Sequence, residues 1–154
     1  MRATRTPWFH RSLVVLSLGV AVGVWLGAAG VVARAKDPSI VTDSGASLSA
    51  TEAAVVARTN DARAQRGLGP LAADAALMNA SRRQAAWMAR NRNLSHGQGV
   101  TENIAMGQSS AAETVADWMR SDGHRANILG SHRRIGVAMA RAADGTVYWC
   151  QQFR

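Results

Sequence analysis

A chain of 154 residues, 47% of them hydrophobic and 18% charged, can bury enough apolar surface for roughly one domain, which excludes extensive disorder. Half of the net charge of +8 lies in the first 35 residues, because residues 36–154 hold 14 basic and 10 acidic side chains. So small an excess of basic residues argues against nucleic acid as a partner. The single cysteine, Cys150, excludes an intramolecular disulfide.

The first 35 residues have the three zones of a secretory signal peptide. Arginines at positions 2, 5 and 11 precede an apolar run over residues 13–32, and Ala33-Arg34-Ala35 provides the small side chains that a signal peptidase requires. Since the run has about the 20 residues that cross a bilayer, an uncleaved signal anchor is the alternative. Both interpretations predict a secreted or extracytoplasmic protein that contacts a membrane only through this N-terminal segment.

Residues 36–48 are rich in Ser, Asp and Gly, which predicts a flexible lead-in, and residues 49–154 are predicted to form the domain. Ser49 and Glu52 have capping-box spacing and predict the start of the first helix. Gly67-Leu68-Gly69-Pro70 is expected to end that helix.

Further helical segments follow from residues spaced three and four apart. The spacing predicts a second helix from Asp74 to about Arg92, a third from Ala111 to Met119 that Asp122-Gly123 breaks, and a short helical turn from Arg125 to Leu129. Residues 91–100 have the composition of a loop.

Two stretches of alternating residues predict strands near the end of the chain. One holds Ile135, Val137 and Met139, the other holds Val147, Trp149, Gln151 and Phe153, and Ala143-Asp144-Gly145 is expected to join them as a hairpin. Helices followed by a short sheet predict an α+β fold. Trp87, Trp118 and Trp149 are expected in the core, and Cys150 is expected to be a small buried residue.

Two histidines stand among polar residues that are typical of loops. His96 lies in Leu94-Ser95-His96-Gly97, shortly before Glu102-Asn103-Ile104, and His124 lies in Asp122-Gly123-His124-Arg125. Neither lies on an apolar stripe, so both are candidates for a functional site.

Five short motifs occur in a definite order along the chain. They are Gly67-Leu68-Gly69-Pro70-Leu71, Ser95-His96, Glu102-Asn103-Ile104-Ala105, Gly123-His124-Arg125-Ala126-Asn127-Ile128-Leu129 and Tyr148-Trp149-Cys150-Gln151. In this order, over roughly residues 49–153, the chain resembles bacterial members of the CAP superfamily, also called SCP-like domains. The resemblance implies an α-β-α sandwich with a small central antiparallel sheet and a cleft where two histidines and acidic residues converge.

His96, Glu102 and His124 fall on three positions of the cleft that the resemblance implies, while Ser121 stands near the position of a second glutamate. Two neutral imidazoles and one carboxylate can ligate zinc or another divalent metal and leave a fourth position for water. The alternative is a polar cluster without metal, in which hydrogen bonds tie two loops to the sheet.

Two functions therefore stay open. One is a secreted binding module whose cleft captures a lipid, a peptide or a cell-envelope component, which the resemblance supports most broadly. The other is a metal-assisted hydrolase of peptide or ester bonds, in which Glu102 or a bound metal activates water. The missing second carboxylate favours binding, because Glu102 cannot easily act both as a metal ligand and as a general base. No catalytic residue is assigned.

Overall fold

The computed structural model describes residues 41–42 and 45–154. The predicted signal segment, and most of the predicted lead-in, lie outside the described residues. Val41–Thr42, within that lead-in, form a short strand that pairs with residues of the domain. None of the helices within the described ranges is long and apolar enough to cross a membrane.

The described residues form four helices and one sheet of five strands. The helices are α1 (Ala50–Ala64), α2 (Ala75–Asn91), α3 (Ala111–Arg120) and α4 (Asp122–Leu129); the strands are β1 (Val41–Thr42), β2 (Ala72–Ala73), β3 (Thr101–Met106), β4 (Arg134–Arg141) and β5 (Val147–Phe153). The strand order is β1-β2-β4-β5-β3. The three long strands are antiparallel, and the two-residue strands β1 and β2 extend the sheet in parallel from β4.

The sheet separates two layers of helices, which confirms the predicted α+β fold and α-β-α sandwich. On β5 the odd-numbered residues, such as Trp149, pack with α1, α3 and α4, while Tyr148 and Cys150 pack against α2. Every residue of β5 is buried, because β5 lies between β3 and β4 at the centre of the antiparallel part of the sheet. Its pairing with β4 is the predicted hairpin.

The helix starts follow from the capping side chains. Ser49 accepts a hydrogen bond from the Glu52 amide, and Glu52 accepts one from the Ser49 amide, which confirms the predicted capping box. Asp74 caps α2 and accepts from the Leu77 amide at 2.9 Å. These bonds satisfy amide groups that the first turn of a helix leaves without an intrahelical partner.

Two of the predictions on helices and core are wrong. Asp122-Gly123 does not break the helical region, because the chain turns at Ser121, whose extended backbone ends α3 and starts α4. Trp87 is not a core residue: it is 40% exposed on α2, whereas Trp118 and Trp149 are 1% and 2% exposed. Trp87 lies outside the buried face of α2, which packs Ala85, Met88 and Ala89 against the sheet.

Strand β3 was not predicted from the residue pattern. Its first residues are Thr101, Glu102 and Asn103, which do not alternate with apolar ones, yet Glu102 and Asn103 are both buried opposite β5. Their burial depends on hydrogen bonds with side chains that are distant in sequence, and periodicity carries no information about such partners.

Gly136 lies where α2 approaches strand β4 closely. A Cβ atom at this position would lie 2.2 Å from the backbone carbonyl atoms of Leu77, a contact that no rotation of a side chain can relieve. We expect Gly136→Ala to lower the free energy of unfolding by about 3 kcal/mol or more, because overpacking must displace the helix backbone. Urea denaturation followed by circular dichroism measures the change.

Gly69→Ala is the matched control for that substitution. A Cβ atom at Gly69 meets nothing within 4 Å, so its effect should stay within about 0.5 kcal/mol. Equal losses at the two positions would show that close packing of α2 on β4 is not the cause.

Candidate functional site

The carboxylate of Glu102 is the centre of the candidate site. Glu102 lies on β3, and its side chain has 0% exposed surface. Oε1 accepts a hydrogen bond from the Gly97 amide at 2.9 Å and lies 3.1 Å from His96 Nδ1. Oε2 accepts from Gln152 Nε2 at 2.8 Å and from the Cys150 thiol at 3.3 Å. Both oxygens are thus occupied, which makes the burial of a carboxylate tolerable.

The loop that carries His96 is held both by α2 and by Glu102. Gln84 on α2 donates from Nε2 to the Ser95 carbonyl at 2.6 Å, next to the bond between Gly97 and the carboxylate. Because the carboxylate only accepts, a neutral His96 carries its proton on Nδ1 and keeps the lone pair of Nε2 for another partner. The side chain of His96 is 56% exposed. A buried carboxylate therefore orients an imidazole at the surface.

His124 lies in the first turn of α4, not in a loop as its polar neighbours suggested. The His124 carbonyl accepts a hydrogen bond from Asn103 Nδ2 at 3.1 Å, which places the start of α4 beside β3. Burial lowers the pKa of His124 below its ordinary value of 6.5, and the charge of a protonated His96 lowers this pKa further. Near neutral pH His124 is therefore an uncharged imidazole that lies close enough to His96 to respond to its charge.

A chain of buried amide and hydroxyl groups anchors α4 through the sheet to α1. Asn127 on α4 donates to Asn103 Oδ1 at 2.9 Å, and Asn103 donates to Gln151 Oε1 at 3.1 Å. Gln151 donates in turn to Thr59 Oγ1 at 2.8 Å, and the Thr59 hydroxyl donates to the Val55 carbonyl at 2.8 Å. The position of His124 thus depends on polar contacts that join α4, the strands β3 and β5, and α1 on one face of the sheet.

Sequence reasoning did not assign these partners a role, although most of them stand in the five motifs. Asn103 and Gln152 contact the site residues directly, and Asn127 also donates to the Glu102 carbonyl at 3.2 Å. The available signal was a polar residue inside a segment that is otherwise apolar. Gln151 occupies an inward position of β5, and although it is polar it is completely buried. A buried amide indicates a hydrogen-bonded partner without naming it.

Cys150 is buried, as predicted, and its thiol donates to Glu102. Burial raises the pKa of this thiol strongly, and the nearby negative charge of Glu102 and the hydrogen bond to it raise this pKa further. The thiolate, which is the nucleophilic form, is therefore not formed at ordinary pH.

The hydrogen bonds of Glu102 disfavour a metal ion held by His96, Glu102 and His124 together. No group of three His, Cys, Asp or Glu side chains in the described part of the chain is placed to hold a metal. Both carboxylate oxygens of Glu102 already accept hydrogen bonds, so a metal would have to displace those donors. Metal binding by these three residues stays a prediction.

Residues 56–153 match the sequence model of the cysteine-rich secretory protein family, CAP. The chain belongs to the CAP superfamily. It is 33% identical over 141 residues to the uncharacterized protein YkwD of Bacillus subtilis (strain 168), a match that covers 79% of this chain and 53% of that protein. This CAP chain therefore spans about half the length of that relative.

Three solved structures share the fold. An outer surface protein of Borrelia burgdorferi superposes with a TM-score of 0.59 at 17% identity, over 64% of this chain and 87% of that one. An extracellular protein with an SCP domain from Bacillus anthracis str. Ames gives a TM-score of 0.58 at 23% identity, over 68% and 40%. The hookworm platelet inhibitor gives 0.54 at 15% identity, over 66% of each chain. Identities this low show the fold alone.

Replacement of the buried carboxylate should destabilise the domain. In Glu102→Gln one side-chain oxygen becomes an NH2 group that faces hydrogen-bond donors, so we expect the free energy of unfolding to fall by about 2–4 kcal/mol. Urea denaturation measures the loss. Glu113→Gln, at an exposed carboxylate that accepts from Ser109, serves as the control and should cost less than about 1 kcal/mol. Similar losses at both positions would contradict a central role for Glu102.

The stability of the fold should depend on pH through His124. Its pKa is lowered in the folded state, so the unfolded chain binds the proton more tightly. The contribution of His124 to the free energy of unfolding is complete above the pKa of the unfolded chain, which is near 6.5. This contribution is lost as the pH falls from there through the lower pKa of the folded state. Burial lowers the pKa of His132 as well, which adds to the same trend.

Urea denaturation of the unaltered protein, His124→Gln and His132→Gln between about pH 7.5 and about pH 5 measures this dependence. In each variant the free energy of unfolding should fall less, as the pH is lowered, than it does in the unaltered protein. A pH dependence that is unchanged in His124→Gln would contradict the assignment to His124.

Proposed function

We propose that this CAP domain is an exported binding module, not an enzyme, and that it captures its ligand where His96 and His124 meet at the edge of the sheet. The supporting observation is that Glu102 and His96 are hydrogen-bonded but differ in exposure. The carboxylate is buried with both oxygens occupied, while the imidazole that it orients is more than half exposed. Such an arrangement is suited to presenting a rigid hydrogen-bonding group to a ligand.

The hydrolase alternative gains no support from the geometry. A general base must be able to receive a proton from water or from the substrate, but Glu102 is enclosed by its donors. Cys150 is held as a thiol by burial and by Glu102, so it offers no nucleophile. His96 and His124 then serve better as contacts for a ligand than as parts of a catalytic relay.

The hydrogen-bonding groups of the two imidazoles narrow the class of ligand. In its neutral form His96 accepts hydrogen bonds at Nε2, and both rings have apolar faces. Among lipids, peptides and cell-envelope components, those with amide or hydroxyl donors match this surface best. A peptide or an envelope fragment that carries a peptide is therefore the proposed ligand, and a lipid would need a headgroup with donors.

Soluble peptidoglycan fragments, each a disaccharide with its attached peptide, are the first probe. We expect them to shift the imidazole NMR signals of His96 and His124 while the signals of His132 stay in place. His96→Ala and His124→Ala should each weaken binding about tenfold, which is the effect of losing one hydrogen bond to the ligand.

His132→Ala is the matched control, because His132 stacks on Phe153 at a different place and should keep full affinity. Phosphatidylglycerol vesicles test the lipid class in the same assay. If neither probe shifts the signals of His96 and His124, the proposed binding function is wrong. Release of hydrolysed product during the titration would favour the hydrolase instead.

A further inference from the structure

A second concave surface lies on the outer side of α2, and neither His96 nor His124 lines it. It is a groove of about 590 Å³, hereafter the α2 groove. Its lining includes Arg82, Arg83, Gln84, Trp87, Arg90 and Gln152. No acidic side chain lines it, so the groove has a positive character among the described residues.

Trp87 gives the α2 groove its exposed apolar surface. The indole is 40% exposed, although tryptophan is usually highly buried. Arg83 precedes it by four residues and Arg90 follows it by three, so both guanidinium groups stand on the same side of the helix as the ring. Ala80 and Ala86 leave space around them. The result is an aromatic platform with a cation on either side.

Two of the three arginines in the α2 groove are available to a ligand. Arg82 is bound to Glu52, with Nε 2.8 Å from Oε1, and to the Ser47 carbonyl. Arg83 and Arg90 are exposed, and neither has a carboxylate partner within the described residues. Their charges are therefore free to pair with an anion.

Gln152 adds a requirement for a donor. Its Nε2 donates to Glu102 Oε2, and because a carboxylate only accepts, this bond sets which way the amide is turned. Gln152 is 5% exposed, and its Oε1 is buried without a hydrogen-bond partner among the described residues. A buried acceptor without a donor is unfavourable, so a ligand that brings an O–H or N–H group would complete it.

We infer that the α2 groove binds a saccharide that carries a carboxylate or a phosphate. The apolar face of the sugar ring stacks on Trp87, the anionic group pairs with Arg83 and Arg90, and a ring hydroxyl donates to Gln152 Oε1. An acyl chain would leave the arginines and the amide without partners, and a bare phosphate would leave the indole uncovered. Only a ligand with all three features uses the whole groove.

Isothermal titration calorimetry of the full chain tests this inference with defined probes. Trigalacturonate provides a carboxylate and glucosamine 6-phosphate a phosphate, while maltotriose lacks both, and inorganic phosphate lacks the sugar. We expect at least one anionic saccharide to bind about tenfold more tightly than maltotriose and inorganic phosphate. The two anionic probes distinguish the two kinds of acidic group.

Variants at the surface of α2 assign the site without disturbing the core. Trp87→Ala and Arg83→Gln should each reduce the affinity about tenfold, and Trp87→Phe should retain part of it because a smaller ring still stacks. Arg66→Gln, which removes an exposed charge at another place, is the matched control and should keep full affinity. Circular dichroism checks that each variant is folded.

Several outcomes would overturn the inference. These are equal affinity for maltotriose and for the anionic saccharides, equal losses in Arg66→Gln and Arg83→Gln, or tighter binding of phosphatidylglycerol vesicles or of a single-stranded oligonucleotide than of any saccharide. Because the α2 variants leave His96 and His124 unchanged, such a failure would not affect the function proposed above.

Discussion

The burial of one carboxylate organises this protein. Glu102 lies inside the sandwich with both oxygens hydrogen-bonded, and a buried charge is stable only when its surroundings supply such partners. The partners come from the loop of His96 and from β5, so the requirement of one side chain joins segments that are about fifty residues apart. The exposed imidazole is a consequence of that buried centre.

The two faces of β3 have different tasks. Glu102 faces the side of α2, whereas Asn103 contacts Gln151 and the residues of α4 on the other side. The first set orients His96 and the second set places His124, which is why neighbouring residues of one strand can bring together two distant histidines. A carboxylate that is so fully engaged is a structural support for the site, which is the reason that we propose binding and not catalysis.

Helix α2 connects the two surfaces that we propose for ligands. Its inner face packs so closely on β4 that only a glycine fits at position 136, and Gln84 holds the loop of His96. Its outer face carries the exposed Trp87 and its flanking arginines. Gln152 reaches from the buried carboxylate to this groove, so the two surfaces share one amide.

Much of the fold could be predicted from the sequence, because helices and hairpins depend on periodic patterns and capping residues that are close together in the chain. The capping box of Ser49, the hairpin of β4 and β5 and the buried Trp118 and Trp149 all follow from such local patterns. The candidate residues His96, Glu102 and His124 came from the polar contexts of the histidines and from the motifs that resemble the CAP superfamily.

What the sequence by itself determined is therefore local structure, fold class and the identity of the candidate residues. Only the tertiary structure decided that β3 is a strand, that His124 starts a helix, that Trp87 is exposed and that Glu102 is enclosed by hydrogen-bond donors. These features depend on which distant side chains meet, and hydrogen-bond partners that are tens of residues apart leave no periodic trace in the chain.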